Sequence, residues 1–178
     1  MVPRDLILQN EKVLLRPMTR QDFPLLQKLT QDPERWIYFT QDLSKPEEFE
    51  IWASGHFSGE RFQFTVIEKA TGKVAGATAF GSFSPRDERL EIGWTWLGKD
   101  FQGTGINQEM KKLMLDYCFQ QLKVKRVEIK TDVLNIPARK ALLKLGAREE
   151  GVLRSHTLMT RGRRRDTIYY SFLEGEWV

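Results

Sequence analysis

The chain predicts a mixed α/β fold of the α+β kind, built on one central, mostly antiparallel sheet of about seven strands with four helices around it. Three observations carry that expectation. From Arg61 onward, apolar residues recur at every second position through RFQFTVIE, KVAGATAFGSF and LEIGWTWL, the period of strands half-buried against a core. Elsewhere the period lengthens: Ile106, Met110, Leu113, Met114, Tyr117 and Cys118 recur as on one face of a helix. The strand-like segments also follow one another across short polar breaks, which suits an antiparallel meander and not a string of βαβ units.

In chain order, VLLRPM (13 to 18) reads as a strand ended by Pro17, and TRQDFPLLQKLTQD spaces Phe23, Leu26 and Leu29 as a helix face. PEEFEIWASGHF opens a second helix at Pro46, with Glu47 and Glu48 in its first turn, where the helix dipole favours negative charge. The meander follows, its first turn at Thr71-Gly72 and its second break at SPRDER. Then come the long helix after Gly105, the β-run RVEIKTDV, and the helix NIPARKALLKLGA closed by Gly146. The last element is a hairpin around Arg161-Gly162-Arg163.

The totals narrow the class. The 178 residues, 40% hydrophobic and 11% aromatic, suffice for one substantial core, so residues 1–178 are expected to form a single domain. With 28 basic against 24 acidic residues the chain is no polycation, and its net charge of +4 suits a discrete anionic ligand as well as nucleic acid. The lone Cys118 excludes an intramolecular disulfide and falls on the apolar side of its helix, a packing position. No run of 18 apolar residues occurs, and Asp5 interrupts the N-terminal segment where a signal peptide would be apolar, so a soluble, cytoplasmic protein is expected.

The segment QGTGINQEMKKLMLDYCF carries the chemistry. Gly103 and Gly105 permit backbone torsions other residues resist, and the helix behind them offers unpaired N–H groups and the positive end of its dipole, a site for phosphate oxygens. Taken alone, the same pair serves equally as a tight turn with no ligand. Gln108 stands where a dinucleotide-binding fingerprint has its third glycine, and no Gly-Lys-Ser/Thr follows for a nucleoside-triphosphate loop. The order EIGWTWL, short loop, Gln102-Gly103-Thr104-Gly105-Ile106-Asn107, amphipathic helix resembles the acetyl-CoA-binding motif of the GCN5-related N-acetyltransferases (GNAT). KVLLRPMTRQDFPLL, NIPARKALLKLGAREEGVLR and RGRRRDTIYYSFLEGEW extend the resemblance, in order, over nearly the whole chain. It is nearest to the ribosomal-protein alanine acetyltransferases. Asn107 departs from the motif, which usually ends in Gly or Ala.

The resemblance implies the GNAT fold, with its sheet splayed between the fourth and fifth strands to admit the pantetheine arm. It implies acetyl-CoA as acetyl donor, no metal, and direct transfer to a primary amine, either a peptide N-terminus or a small amine. Main-chain groups of Trp94, Thr95, Trp96 and Leu97 would meet the donor, Gln102 to Asn107 its pyrophosphate, and Asn135 its pantetheine, although Asn135 also reads as a helix N-cap. Lys140 is a candidate cation for the phosphates, with Lys99, Lys111 and Lys144. Glu91 occupies the place of a strand carboxylate that acts as base, where partial burial would tune it for the task. Ala138 and Leu142 stand where relatives carry the serine or tyrosine that protonates the leaving thiolate, so that proton must come from elsewhere. Tyr169 and Tyr170 alternate faces, and one should point inward.

Trp36, Phe39 and Trp52 fall in the region that covers the acceptor in relatives, and would wall it. The departures keep a second class open, an acyl-CoA-binding sensor or scaffold of the same fold. Arg161, Arg163, Arg164 and Arg165 suggest nucleic acid less than a solvated turn. A monomer or a homodimer fits equally, and no membrane partner is expected.

Overall fold

The computed structural model describes residues 2–177. Its strands are β1 (Leu8–Gln9), β2 (Val13–Pro17), β3 (Phe62–Glu68), β4 (Lys73–Ser84), β5 (Arg89–Leu97), β6 (Arg126–Asp132), β7 (Arg148–Leu158) and β8 (Arg164–Leu173). They form one eight-stranded sheet in the order β1-β2-β3-β4-β5-β6-β8-β7. The expected count of about seven is exceeded by β1, two residues long and paired to Leu14 and Leu15, too short for any alternation to reveal.

Every neighbouring pair is antiparallel except β5 and β6, which run parallel. Their pairing covers Arg89–Glu91 against Arg126–Glu128 and ends there. From Ile92 to Leu97 the side of β5 that faces β6 has no strand beside it. The expected splay is therefore present, and Leu97 sits at its wide end.

Helices α1 (Phe23–Leu29) and α2 (Pro46–Phe57) cover one face, where Phe23, Leu26, Phe49, Trp52 and Ala53 pack with Ala77 and Trp96. Helices α3 (Ile106–Asp116) and α4 (Ile136–Leu145) cover the other, where Met110, Met114, Cys118 and Leu142 meet Phe80, Ile92, Val127 and Tyr170. α3 leaves the meander through Gly105 at φ 89, and α4 ends on Gly146 at φ 97, both left-handed conformations that cost a side chain energy. Cys118 is fully buried, as its helical phase requires, and burial pushes its thiol far up from its usual range. Among the described residues no helix is long and apolar enough to cross a membrane, and no group of three or more His, Cys, Asp or Glu side chains is placed to hold a metal ion.

Candidate active site

The splay opens beside an irregularity in β5. Ala79 faces Gly93 and Ala77 faces Trp96, so Trp94 and Thr95 together oppose Thr78 as a β-bulge. Trp94 takes a left-handed φ of 50, a strain of roughly 1–3 kcal/mol for a bulky residue. Contacts on both faces hold it there. On the α2 face the Trp94 ring lies over Gly81, where a Cβ would come within 2.5 Å of it, and the Arg61 guanidinium sits 5.0 Å from the ring centroid. Arg61 is itself buried, fixed by the Trp52 carbonyl and by Gln63 Oε1 at 3.2 Å, and burial lowers its pKa. On the α3 face Lys111 Nζ donates to Thr95 Oγ1 at 2.6 Å, and Thr95 Oγ1 shares a hydrogen bond with Thr78 Oγ1 at 2.8 Å.

Lys111 was grouped with the phosphate cations by sequence, and this assignment is corrected. It points inward, 4% exposed, and burial lowers its pKa from 10.5 to about 7, with Glu91 pulling the other way. A lysine in MKKLM looks solvated in a linear reading. Only the packing of α3 over the bulge shows that Lys111 faces the sheet.

At the wide end of the splay, Gly103 (φ 73) and Gly105 (φ 89) form the turn into α3, and Thr104 Oγ1 donates to the Phe101 carbonyl at 2.8 Å. Nothing lies within 4 Å of the place a Gly103 side chain would occupy, so the backbone is open to a ligand. Gln102 Nε2 reaches back to the Leu97 carbonyl at 3.4 Å and ties the turn to the end of β5. The cation at this turn is Lys12, which sequence reading missed. Its Nζ donates to the Thr104 carbonyl at 2.9 Å and lies 2.9 Å from the position of a Gly105 Cβ. Lys12 is 92 residues away in sequence, and no local pattern links the two. Exposed N–H groups at a helix start beside a lysine fit a pyrophosphate. A Gly105→Ala change is expected to cost about 1–2 kcal/mol of left-handed strain and to push on Lys12. The result should be a raised KM for the donor, measured by titration at saturating acceptor.

Glu91 lies on the α1/α2 side of the sheet, 5% exposed. Its Oε2 accepts from Ser82 Oγ at 2.9 Å and pairs with Lys130 Nζ at 2.8 Å, while Oε1 faces Gly93, 2.9 Å from where a Cβ would be. Glycine at 93 thus leaves that oxygen uncovered. Asp132, fully buried, pairs with Arg163. Lys130 and Tyr169 are cross-strand partners, with Nζ 5.9 Å from the ring centroid. Tyr169 faces this side of the sheet, whereas Tyr170 is buried in the α3/α4 core and receives a hydrogen bond from Arg139. A strap closes the far end: the β7–β8 turn docks on the 33–39 segment through Thr160 N to the Phe39 carbonyl (3.4 Å) and Thr160 Oγ1 to the Trp36 carbonyl (3.2 Å).

The remaining expected residues fall as follows. Asn135 caps α4, its Oδ1 accepting from Ala138 N at 3.3 Å and its Nδ2 donating to Thr131 Oγ1 at 3.3 Å. Lys140 is exposed on α4. Leu97 is buried at 7%, and its carbonyl accepts from Arg35 as well as from Gln102. Trp36 and Trp52, expected to wall the acceptor, are core instead: they are 1% and 3% exposed and each packs 5.7 Å from Trp96. The hydrophobic effect buries three indoles against one another before it offers them to a ligand. Phe39, half-buried 5.0 Å from Trp36, keeps free surface. The arginine run is engaged internally: Arg161 with Glu34, Arg163 with Asp132, Arg164 with Ser155 and Arg165 with Thr167. Lys130, unnoticed by sequence, did leave a trace, because Glu128, Lys130 and Asp132 alternate with Val127, Ile129 and Thr131 along a central strand. A charged face inside a sheet marks a site.

Known proteins share this fold. Residues 12–148 match the family model described as "Acetyltransferase (GNAT) domain". N-acetyltransferase p20 of Bacillus licheniformis is 30% identical over 176 residues, 96% of this chain and 98% of that protein. YdaF of Bacillus subtilis, provisionally named a ribosomal N-acetyltransferase, is 27% identical over 175 residues, 94% of each chain. A crystal structure of a GCN5-related N-acetyltransferase from Brucella melitensis superposes with a TM-score of 0.90 at 30% identity, covering 98% of this chain and 81% of that one.

Proposed function

Because the chain belongs to the GNAT family of acetyltransferases, we propose that residues 1–178 act as one cytoplasmic domain that transfers an acetyl group directly from acetyl-CoA to a primary amine. The observation that carries this reading is the parting of β5 from β6 at the Trp94–Thr95 bulge, between an open glycine turn and a buried carboxylate. Strand N–H groups point alternately to the two neighbouring strands, so those between Trp94 and Leu97 that face the splay have no strand partner, and donors fixed in that way suit a carbonyl oxygen as charge develops on it. The stack of Trp94 on Gly81 and Arg61, with Lys111 and Thr78 behind Thr95, keeps them from rearranging.

Gln102 to Asn107 would bind the donor's pyrophosphate with Lys12 alongside, and Lys140 is the cation on α4. Asn135 would reach the pantetheine with the Nδ2 side of its amide, since Oδ1 is committed to the cap. Glu91 would take the amine proton through Oε1, directly or by one water, while Lys130 and Ser82 hold Oε2 in place. Because Ala138 and Leu142 carry no proton to give, water would protonate the departing thiolate. The acceptor is a peptide N-terminus or a small amine, with Phe39 on its wall. YdaF supports the former through its name.

The test is thiol release from acetyl-CoA by the purified protein across N-terminal peptides, polyamines, amino acids and aminoglycosides. Amine-dependent release, with the acetyl group found on nitrogen, is expected. Tight acetyl-CoA binding by calorimetry without release for any acceptor would replace the enzyme by an acyl-CoA-binding sensor.

A further inference from the structure

We propose that Arg165 anchors a carboxylate carried by the amine acceptor. This rests on the transfer reading above and concerns which amines the site takes.

Two buried carboxylates on the acceptor side of the sheet are each matched by a cation. Glu91 is matched by Lys130 at 2.8 Å and Asp132 by Arg163. Arg165 is 8% exposed, and its Nε donates to Thr167 Oγ1 at 2.9 Å. Among the described residues its two terminal nitrogens have neither a hydrogen-bond acceptor nor a carboxylate within 4 Å. They are not sealed in the core either, because the fully buried side-chain atoms without a partner are Gln63 Nε2 and Trp96 Nε1. The fork of the guanidinium therefore keeps some contact with solvent, on the side of the sheet that carries Glu91 and Lys130.

A nearly buried cation without a counter-ion is costly, and burial does lower the pKa of Arg165, while Asp132 and Glu91 raise it. Arginine keeps its proton under such conditions, so it needs an anion. The donor's phosphates are matched at the glycine turn, at the opposite end of the splay. What enters at the Arg165 end is the acceptor, and a planar fork with two free N–H edges matches a carboxylate.

The register sets the spacing. Lys130, which holds Glu91, pairs with Tyr169, and Asp132 pairs with Thr167, the residue that receives Arg165 Nε. Two residues of strand separate these levels, about 7 Å. That is the reach from an N-terminal amine to the chain-end carboxylate of a dipeptide, or to an acidic side chain at the second position of a longer peptide.

Two acceptor pairs tell these sources apart: Ala-Ala against its C-terminal amide, and N-terminal peptides with Asp against Asn at position two. Each pair is compared by kcat/KM and, using the N-acetylated forms with coenzyme A present, by calorimetric binding. The wild type is expected to prefer the carboxylate member of one or both pairs by about 10–100-fold, the worth of a charge-assisted bidentate contact. In Arg165→Gln the ratio should fall to near one, and in Arg165→Lys, which keeps the charge and loses the fork, it should be intermediate. Equal values within both pairs in the wild type, or a ratio that survives Arg165→Gln, would overturn the proposal. If Arg165→Gln does not fold, Arg165→Lys decides: an undiminished ratio overturns the proposal. Carboxylate-selective binding without turnover would remove the transfer reading and leave Arg165 as the anchor.

Discussion

Glu91→Gln is expected to lower kcat/KM near neutral pH by about 10²–10⁴-fold, the range typical of a lost general base. The substitution keeps the shape of the side chain and an acceptor for Ser82, whose bond to Oε2 is 2.9 Å. What it removes is the oxygen over Gly93 that is proposed to accept the proton, together with half of the ion pair to Lys130. The pH profile separates base from scaffold. An amine that arrives protonated needs Glu91; above its own ionisation range, about 7.7–8.0 for an α-amino group, it arrives free. The deficit should therefore shrink as pH rises through that range, while a scaffold defect would persist at every pH. A Glu91→Gln profile with the height and acidic limb of the wild type would assign the proton to another group.

Lys111→Met is expected to remove a strong pH dependence of stability. In the folded protein the Lys111 pKa is lowered to about 7, chiefly by burial, against 10.5 in an exposed chain. Between these values the unfolded chain holds a proton that the folded chain has shed, so stability rises with pH across the window and is flat below it. At 1.36 kcal/mol per unit the total is on the order of 5 kcal/mol. The methionine variant lacks that slope. Near pH 7 it should be more stable than the wild type by several kcal/mol, less about 1 kcal/mol for the lost bond to Thr95. Urea unfolding at intervals from pH 6.5 to about 10 measures both slopes. Parallel slopes would mean that Lys111 keeps its charge in the fold. The same variant frees Thr95 on one side of the bulge, so transfer should weaken while stability improves, a trade-off expected where a site stores strain.

Much of the fold was legible because the local signals agreed with one another. Period-two runs gave β3, β4 and β5, Pro46 and Gly146 marked the start of α2 and the end of α4, and the step from strand through Gly103 and Gly105 marked the glycine turn into α3. The aromatic wall was misread because composition says that Trp36, Trp52 and Trp96 are large and apolar, not which of them face a crevice. Lys12 and Arg61 were missed because each acts across a long sequence separation, and Arg165 reads with its neighbours as part of a solvated turn because nothing local shows that it is buried.

The sequence by itself determined every strand but β1, the four helices, their order and the family, since periodicity, turn glycines and an ordered set of motifs are properties of neighbouring residues. Tertiary structure alone decided the burial and the partners of the site's cations. Lys130 is matched by Glu91 and Arg163 by Asp132; Lys111 is desolvated beneath the bulge, and among the described residues Arg165 has no carboxylate within 4 Å. The reason is physical: the energy of a charge depends on the water it loses and the partner it gains, and both are set by chains that meet from distant parts of the sequence.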